Sequence, residues 1–258
     1  ISAMMKRHLY LFAKSWPRVL SLVYYPSLQI VLWGLVSQYL APSNDLLKDM
    51  PGLFLSAVLL WELLMRAQLG VNLSFFEELY ARNLANLFVA PLRTWEYVVS
   101  LLLMSTLRTI IAMLGTALMA WLMFRFQLGG MGLSMVCYAA LLMMFAWAVG
   151  FAVCALVLRL GLGAEELAWG LIFLLLPISC VYYPLATLPE WLQAIALAFP
   201  AAHVFEAMRL ELSGKGVQWG HLLSALWLNL IYLAAALAVF LAAIRRARQD
   251  GQLLQMGE

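Results

Sequence analysis

Charge is scarce in this chain. Only 11% of its 258 residues are Asp, Glu, Lys or Arg, against about 25% in an ordinary soluble domain. Hydrophobic residues make up 65%, where about 45–50% is usual. So few polar groups cannot cover so many apolar side chains, which excludes a water-soluble globular protein. Cysteine is almost as rare. Cys137, Cys154 and Cys180 lie inside apolar runs with no metal-ligand spacing, which excludes a disulfide framework and leaves small apolar core residues. His8, His203 and His221 are well separated along the chain, so no metal site is predicted. Neither a phosphate-binding glycine loop nor a nucleophile–base pair is recognisable, and the chain is not expected to hydrolyse anything itself. The net charge of +3 is modest, and no basic patch interleaved with aromatics lies outside the apolar runs, so nucleic acid is not an expected partner. The basic residues near the amino terminus lead into a full-length apolar run rather than the short one and cleavage site of a secretory signal.

What the chain has in abundance is apolar sequence of bilayer length. A span needs about 20 mainly apolar residues. Six runs are predicted as transmembrane helices: Leu20–Leu40, Leu53–Leu73, Tyr97–Phe124, Leu133–Leu158, Leu167–Tyr183 and Leu222–Ile244. The fold class is therefore an all-α polytopic membrane protein, and an even number of spans puts both termini on one side. With cytoplasmic termini, ten Lys and Arg fall in inner segments and four in outer ones, Arg66 and Arg108 being inside spans. That imbalance follows the positive-inside rule.

Four stretches add detail. Met5, Leu9, Phe12 and Trp16 recur at helical spacing with Arg7 and Lys14 opposite, and Pro17 follows. Residues 1–18 are expected to be an interfacial helix on anionic membrane lipid, or else the start of a longer first span. Between spans two and three, Ser74 and Glu77 have capping-box spacing, and Pro91 ends helical geometry at Ala90. Residues 74–90 are thus predicted to be a cytoplasmic amphipathic helix. Phe76, Tyr80, Leu84 and Leu87 form its stripe, with Glu77, Glu78 and Arg82 on another side. The stripe must bury in the bilayer surface, the protein's own spans or a partner.

Within span two, Glu62 and Arg66 are four residues apart, the acid first, the better orientation for an ion pair. A charge at mid-bilayer is costly and faces protein or water, so the pair reads either as a switchable polar lining or as a static lock. Arg108, in span three, has no acid on its own helix and meets Glu62 or sits nearer the interface. Finally, residues 184–213 contain two apolar runs too short to span, broken at Pro200. They are predicted to be an outer re-entrant helix pair between spans five and six, in which Glu206 and Arg209 pair on one face; a plain surface loop is the alternative.

The second and fourth of these stretches resemble the permeases of ABC transporters of the ABC-2 type. The family's Leu-x-x-Leu-hydrophobic-x-Thr-Pro-Leu pattern appears as Leu84-Ala85-Asn86-Leu87-Phe88-Val89-Ala90-Pro91-Leu92. Its Leu-Pro-x-Trp-Leu pattern appears as Leu188, Pro189, Trp191 and Leu192, followed by Pro200, Glu206 and Arg209. The order of elements matches over essentially the whole chain as a single transmembrane domain, residues 1–258. Arg82-Asn83 replaces the family's usual Gly-Thr, and Pro200–His203 is similar to the lipo-oligosaccharide and drug exporter branch.

The resemblance implies a homodimeric permease in a bacterial inner membrane that moves an amphiphile, such as a lipid-linked saccharide, a lipid or a lipophilic drug. It implies no cofactor in this chain; ATP and Mg²⁺ belong to a cytoplasmic ATPase partner docked on the coupling helix, residues 74–90, through Phe76, Glu77, Glu78, Tyr80, Arg82, Leu84 and Leu87. Pro189, Trp191, Pro200, Glu206 and Arg209 form the outer gate. Two other classes compete: an ion- or proton-coupled carrier using Glu62, Arg66 and Arg108, whose usual repeats or broken core helices are not seen within the main spans, and a non-transporting scaffold.

Overall fold

In hydrocarbon each segment must satisfy its own backbone hydrogen bonds, and the long apolar runs here are all helical. The computed structural model describes residues 1–14, 16–40, 51–81, 83–84, 87, 92–125 and 132–249. Helix α1 (Ser2–Ala13) precedes α2 (Trp16–Leu40), α3 (Pro51–Tyr80), α4 (Thr94–Phe124) and α5 (Leu133–Leu160). A 3₁₀ turn (Leu162–Glu166) runs into α6 (Leu167–Ile178). Then come α7 (Glu190–Leu197), α8 (Pro200–Leu210), a π turn (Glu211–Lys215) and α9 (Trp219–Gln249). The described residues contain no strand. Helices α2, α3, α4, α5 and α9 are each long and apolar enough to cross a membrane, and the bent pair α7–α8 makes a sixth if it counts as one span.

Helices α3 and α5 are the most enclosed of the five. They pack on each other, with α9 against α5 and α4 against α3; α2 lies over α3 and α4. Small residues set the closest approaches. A Cβ on Gly70 would stand 2.9 Å from Ser105 Cα, and Ser105 Oγ donates to the Ala67 carbonyl at 2.6 Å, joining α4 to α3. Met4, Leu84, Leu158, Ala164 and Ile244 share one core cluster. The start of the chain, the segment after α3, the turn after α5 and the last turns of α9 therefore gather at one end. At the other end, Glu211 accepts from Ser134 and Tyr138 at the start of α5, and Tyr182 stacks on Trp33 and Phe54 at centroid distances of 5.0 and 5.4 Å.

Two expectations are corrected. The predicted fifth span, Leu167–Tyr183, is helical only to Ile178. At about 1.5 Å per residue α6 covers roughly 18 Å, less than the ~30 Å hydrocarbon core. Pro177 removes an amide from the ladder, Cys180 adopts φ 55°, and turns carry the chain on to Tyr182. Second, Ser74 caps nothing. Helix α3 continues through it, and its hydroxyl donates back to the Gly70 carbonyl at 2.9 Å; mid-helix amides already have partners, so none is free to be capped. Helix α1 is separate from α2; Met4 and His8 are buried against the bundle, while Leu9 and, at the start of α2, Trp16 of the predicted apolar face are exposed on the protein surface. Arg7 and His8 of α1 face the acidic end of α3.

Candidate functional site at the end of helix α3

Glu77 and Glu78 are consecutive, so their side chains leave α3 about 100° apart and serve different neighbours. Glu78 is fully buried. It accepts from Arg7 Nε of α1 at 2.7 Å and from Asn83 Nδ2, beyond the helix, at 2.7 Å. Its hydrogen bond raises the Arg7 pKa above the ordinary guanidinium value. Glu77 takes Arg108 Nη2 of α4 on both oxygens, at 3.0 and 3.1 Å. His8 lies between the two acids, Nδ1 3.5 Å from Glu77 and Nε2 3.9 Å from Glu78. Arg108 thus pairs with Glu77 near the end of α3, not with Glu62. A desolvated pair of this kind is tolerated because charge-assisted hydrogen bonds on both partners offset the loss of hydration.

The apolar stripe of the predicted coupling helix turns into the bundle. Phe76 and Leu84 are buried and Leu87 packs on the same cluster, whereas Tyr80 is 53% exposed. Arg82 lies outside the described residues, as do Ala85, Asn86 and residues 88–91. Sequence reasoning missed Arg7, His8 and Asn83, because no spacing pattern connects them to α3.

About three turns toward the middle of α3, Arg66 Nη2 donates to Glu62 Oε2 at 3.2 Å, the predicted pair. Two cavities meet at this point. One, of about 350 Å³, is lined by Ser21, Tyr25, Arg66, Glu77, Tyr80 and Arg108 among others. The other, of about 610 Å³, runs along α2 from Tyr25 to Leu35 and includes Glu62 and Arg66. They share Tyr25, Arg66 and Trp169, and each falls within the ~300–1,000 Å³ of ordinary small-molecule sites.

The ABC-2 type transporter family model matches residues 1–212. The chain belongs to that family. No curated protein matches it. As an ABC-2 protein it is a multi-pass membrane protein and the permease component of an ABC transporter, a part that is not itself catalytic and that typically works with an ABC ATPase. Among the described residues no cluster of three or more His, Cys, Asp or Glu is arranged to hold a metal.

At the far end of this ABC-2 permease, α7 and α8 meet at a 101° bend, with Pro200 at the first position of α8. Pro189 precedes α7, and Trp191 is 67% exposed. Arg209 Nη1 donates to Glu206 at 2.6 Å, the predicted pair, and Nη2 donates to the Cys180 carbonyl at 2.8 Å. The pair thereby ties α8 to the turn after α6. The loop end of α7 is held by two donors: His203 Nε2 lies 2.9 Å from the Leu197 carbonyl, and Tyr232 OH donates to Ala198 at 3.2 Å. His203 Nδ1 is 3.2 Å from His221 Nδ1 of α9. The Pro-x-x-His spacing pointed to His203, but nothing local pointed to His221.

Proposed function

We propose that the chain is the permease subunit of an ATP-driven exporter that moves an amphiphile (a lipid-linked saccharide, a lipid or a lipophilic drug) across a bacterial inner membrane. Two copies face each other, and both termini are cytoplasmic. A separate ATPase, which holds ATP and Mg²⁺, docks on the segment that follows α3. There Tyr80, Arg82 and Leu87 form the contact; Phe76, Glu77, Glu78 and Leu84 act from behind it. Pro189, Trp191, Pro200, Glu206 and Arg209 line the outer gate as a re-entrant pair, and α1 lies on the cytoplasmic lipid surface. One observation carries this reading above all. The post-α3 segment is tied through Asn83 to Glu78, Glu78 to α1, and the adjacent Glu77 to Arg108 on the cavity wall. A displacement at the segment therefore moves the cavity.

Co-purification with an ATPase subunit and vanadate-sensitive turnover in proteoliposomes is the expected result. Flux driven by an ion gradient alone would instead establish a carrier built on Glu62, Arg66 and Arg108. In the same assay, Glu78→Gln is expected to leave the ATPase bound while flux per ATP falls about tenfold, since Asn83 and Arg7 lose a charge-assisted partner worth about 1.5 kcal/mol or more. Normal flux with Glu78→Gln would remove Glu78 from the coupling path.

A further inference from the structure

We propose that the furrow over Arg66 seats an amphiphile with an uncharged, hydroxyl-bearing head in the smaller cavity and its chain in the larger one. This rests on the export reading above and narrows its cargo.

The head chemistry follows from charge and hydrogen-bond accounting. Arg66, Arg108 and Glu77 face the smaller cavity. Arg66 is balanced by Glu62 and Arg108 by Glu77, so the four charges sum to zero. An anionic head would leave an uncompensated negative charge at membrane depth, where charge is costly; a neutral head adds none. Arg66 nevertheless uses one of its five N–H groups, on Glu62, and its buried Nε meets no acceptor among the described residues. Groups that only accept would serve the guanidinium and oppose the carboxylate. A hydroxyl accepts from Arg66 and donates to Glu62 beside it, so it suits both.

The larger cavity supplies the chain site. Leu28, Leu32 and Leu35 recur on one face of α2 and oppose Met65 and Phe173. Depth agrees with this division. The smaller cavity reaches Ser21 and Tyr80, near the end of the bundle where the chain starts; the larger one leads from Tyr25 toward Leu35, deeper along α2. A lipid of the adjacent leaflet has its head at the surface and its chain pointing inward, the same order. Leu28, Leu32, Leu35 and Phe173 are all exposed, so the furrow is open sideways and the lipid enters without inverting.

The test uses the full-length permease in nanodiscs, with lipid retention read by native mass spectrometry. The probes are monoglucosyl-diacylglycerol, phosphatidylglycerol and diacylglycerol with identical chains. Retention of the glucosyl lipid about tenfold above either competitor is expected, the equivalent of one hydrogen bond to a charged group. The double variant Glu62→Gln/Arg66→Gln should abolish the preference over diacylglycerol. Trp169→Ala, an exposed position shared by both cavities, should weaken glucosyl-lipid retention without disturbing the fold. Preference for phosphatidylglycerol, equal retention of all three, or unchanged preference in both variants overturns the proposal. Adding the ATPase and ATP separates the two claims. Retained lipid that is released on turnover is cargo, whereas lipid that stays bound keeps the site and removes its role in export.

Discussion

At the level of single residues, the Glu77–Arg108 pair is the feature whose loss has the clearest sign. Both side chains are largely buried, with 15% and 4% of their surfaces exposed. Removing one partner strands the other charge in a poorly hydrated site, at a cost of about 3–5 kcal/mol. Glu77→Gln and Arg108→Gln are each expected to destabilise by that amount in denaturant titrations of the detergent-solubilised protein. The double variant should cost much less than the sum, because neither charge is then stranded. Additive costs would mean that the two side chains do not act as a unit. Arg7 offers the contrast. Its own side chain is 39% exposed, but Glu78 opposite it is fully buried. Arg7→Gln therefore takes a charge-assisted donor from a buried carboxylate and should cost about 1.5–3 kcal/mol, less than Glu77→Gln because Asn83 still donates to Glu78.

Among the elements, the α7–α8 bend carries a pH dependence. Only a donor can meet the Leu197 carbonyl, so His203 Nε2 carries its proton, and Nδ1 then accepts from His221 Nδ1 at 3.2 Å. A further proton on the pair sets two N–H groups face to face. Burial first, and the neighbouring His221 second, push His203 below the ordinary imidazole value; Glu206 and Arg209 on its own helix neutralise each other. The unfolded chain therefore takes up the proton near pH 6.5, before the folded one does. The stabilising contribution is fully present above that pH and is lost as the pH falls through the lower folded value. Between pH 7.5 and 5 the midpoint of thermal unfolding should fall further in the wild type than in His203→Gln, which keeps a donor for Leu197. Equal falls would show that the pair does not titrate in this range. The same bend marks what could be read from sequence. Pro200 at the break, Glu206 with Arg209 and Glu62 with Arg66 are local signals, three or four residues apart, and helix geometry alone brings them together. Arg108 meets Glu77 across 31 positions, Arg7 meets Glu78 across 71 and His203 meets His221 across 18. These contacts depend on how the helices pack, which no periodicity encodes. The Ser74–Glu77 spacing misled for the complementary reason: a capping signal has meaning only where a helix has free amides, and α3 does not stop there.

For the molecule as a whole, the topology is set by how the chain passes between α5 and α9. Met4, Ala164 and Ile244 lie in one cluster at one end of the bundle, while Tyr182 stacks on Trp33 and Phe54 near the other. The stretch from the 3₁₀ turn to Tyr182 thus runs the length of the bundle, although α6 supplies only roughly 18 Å of helix. The remaining distance is covered by turns, which protein contacts satisfy as lipid would not. Helices α7 and α8 then bend back on the far side before α9 returns. On the proposed reading that count is even: Arg245, Arg246 and Arg248 follow Ile244 at the end of the bundle that also holds Met4 and the basic residues near it, Lys6, Arg7 and Lys14, and the positive-inside rule assigns such an end to the cytoplasm. Cysteine labelling in whole cells checks it, on a background in which Cys137, Cys154 and Cys180 are replaced. Ser213→Cys, exposed on the π turn, should react with an impermeant maleimide from outside. Lys14→Cys and Arg248→Cys should react only after permeabilisation. If Ser213→Cys and Arg248→Cys label from the same side, α6 and the bent pair do not make one net crossing, and the outer-gate assignment fails with it.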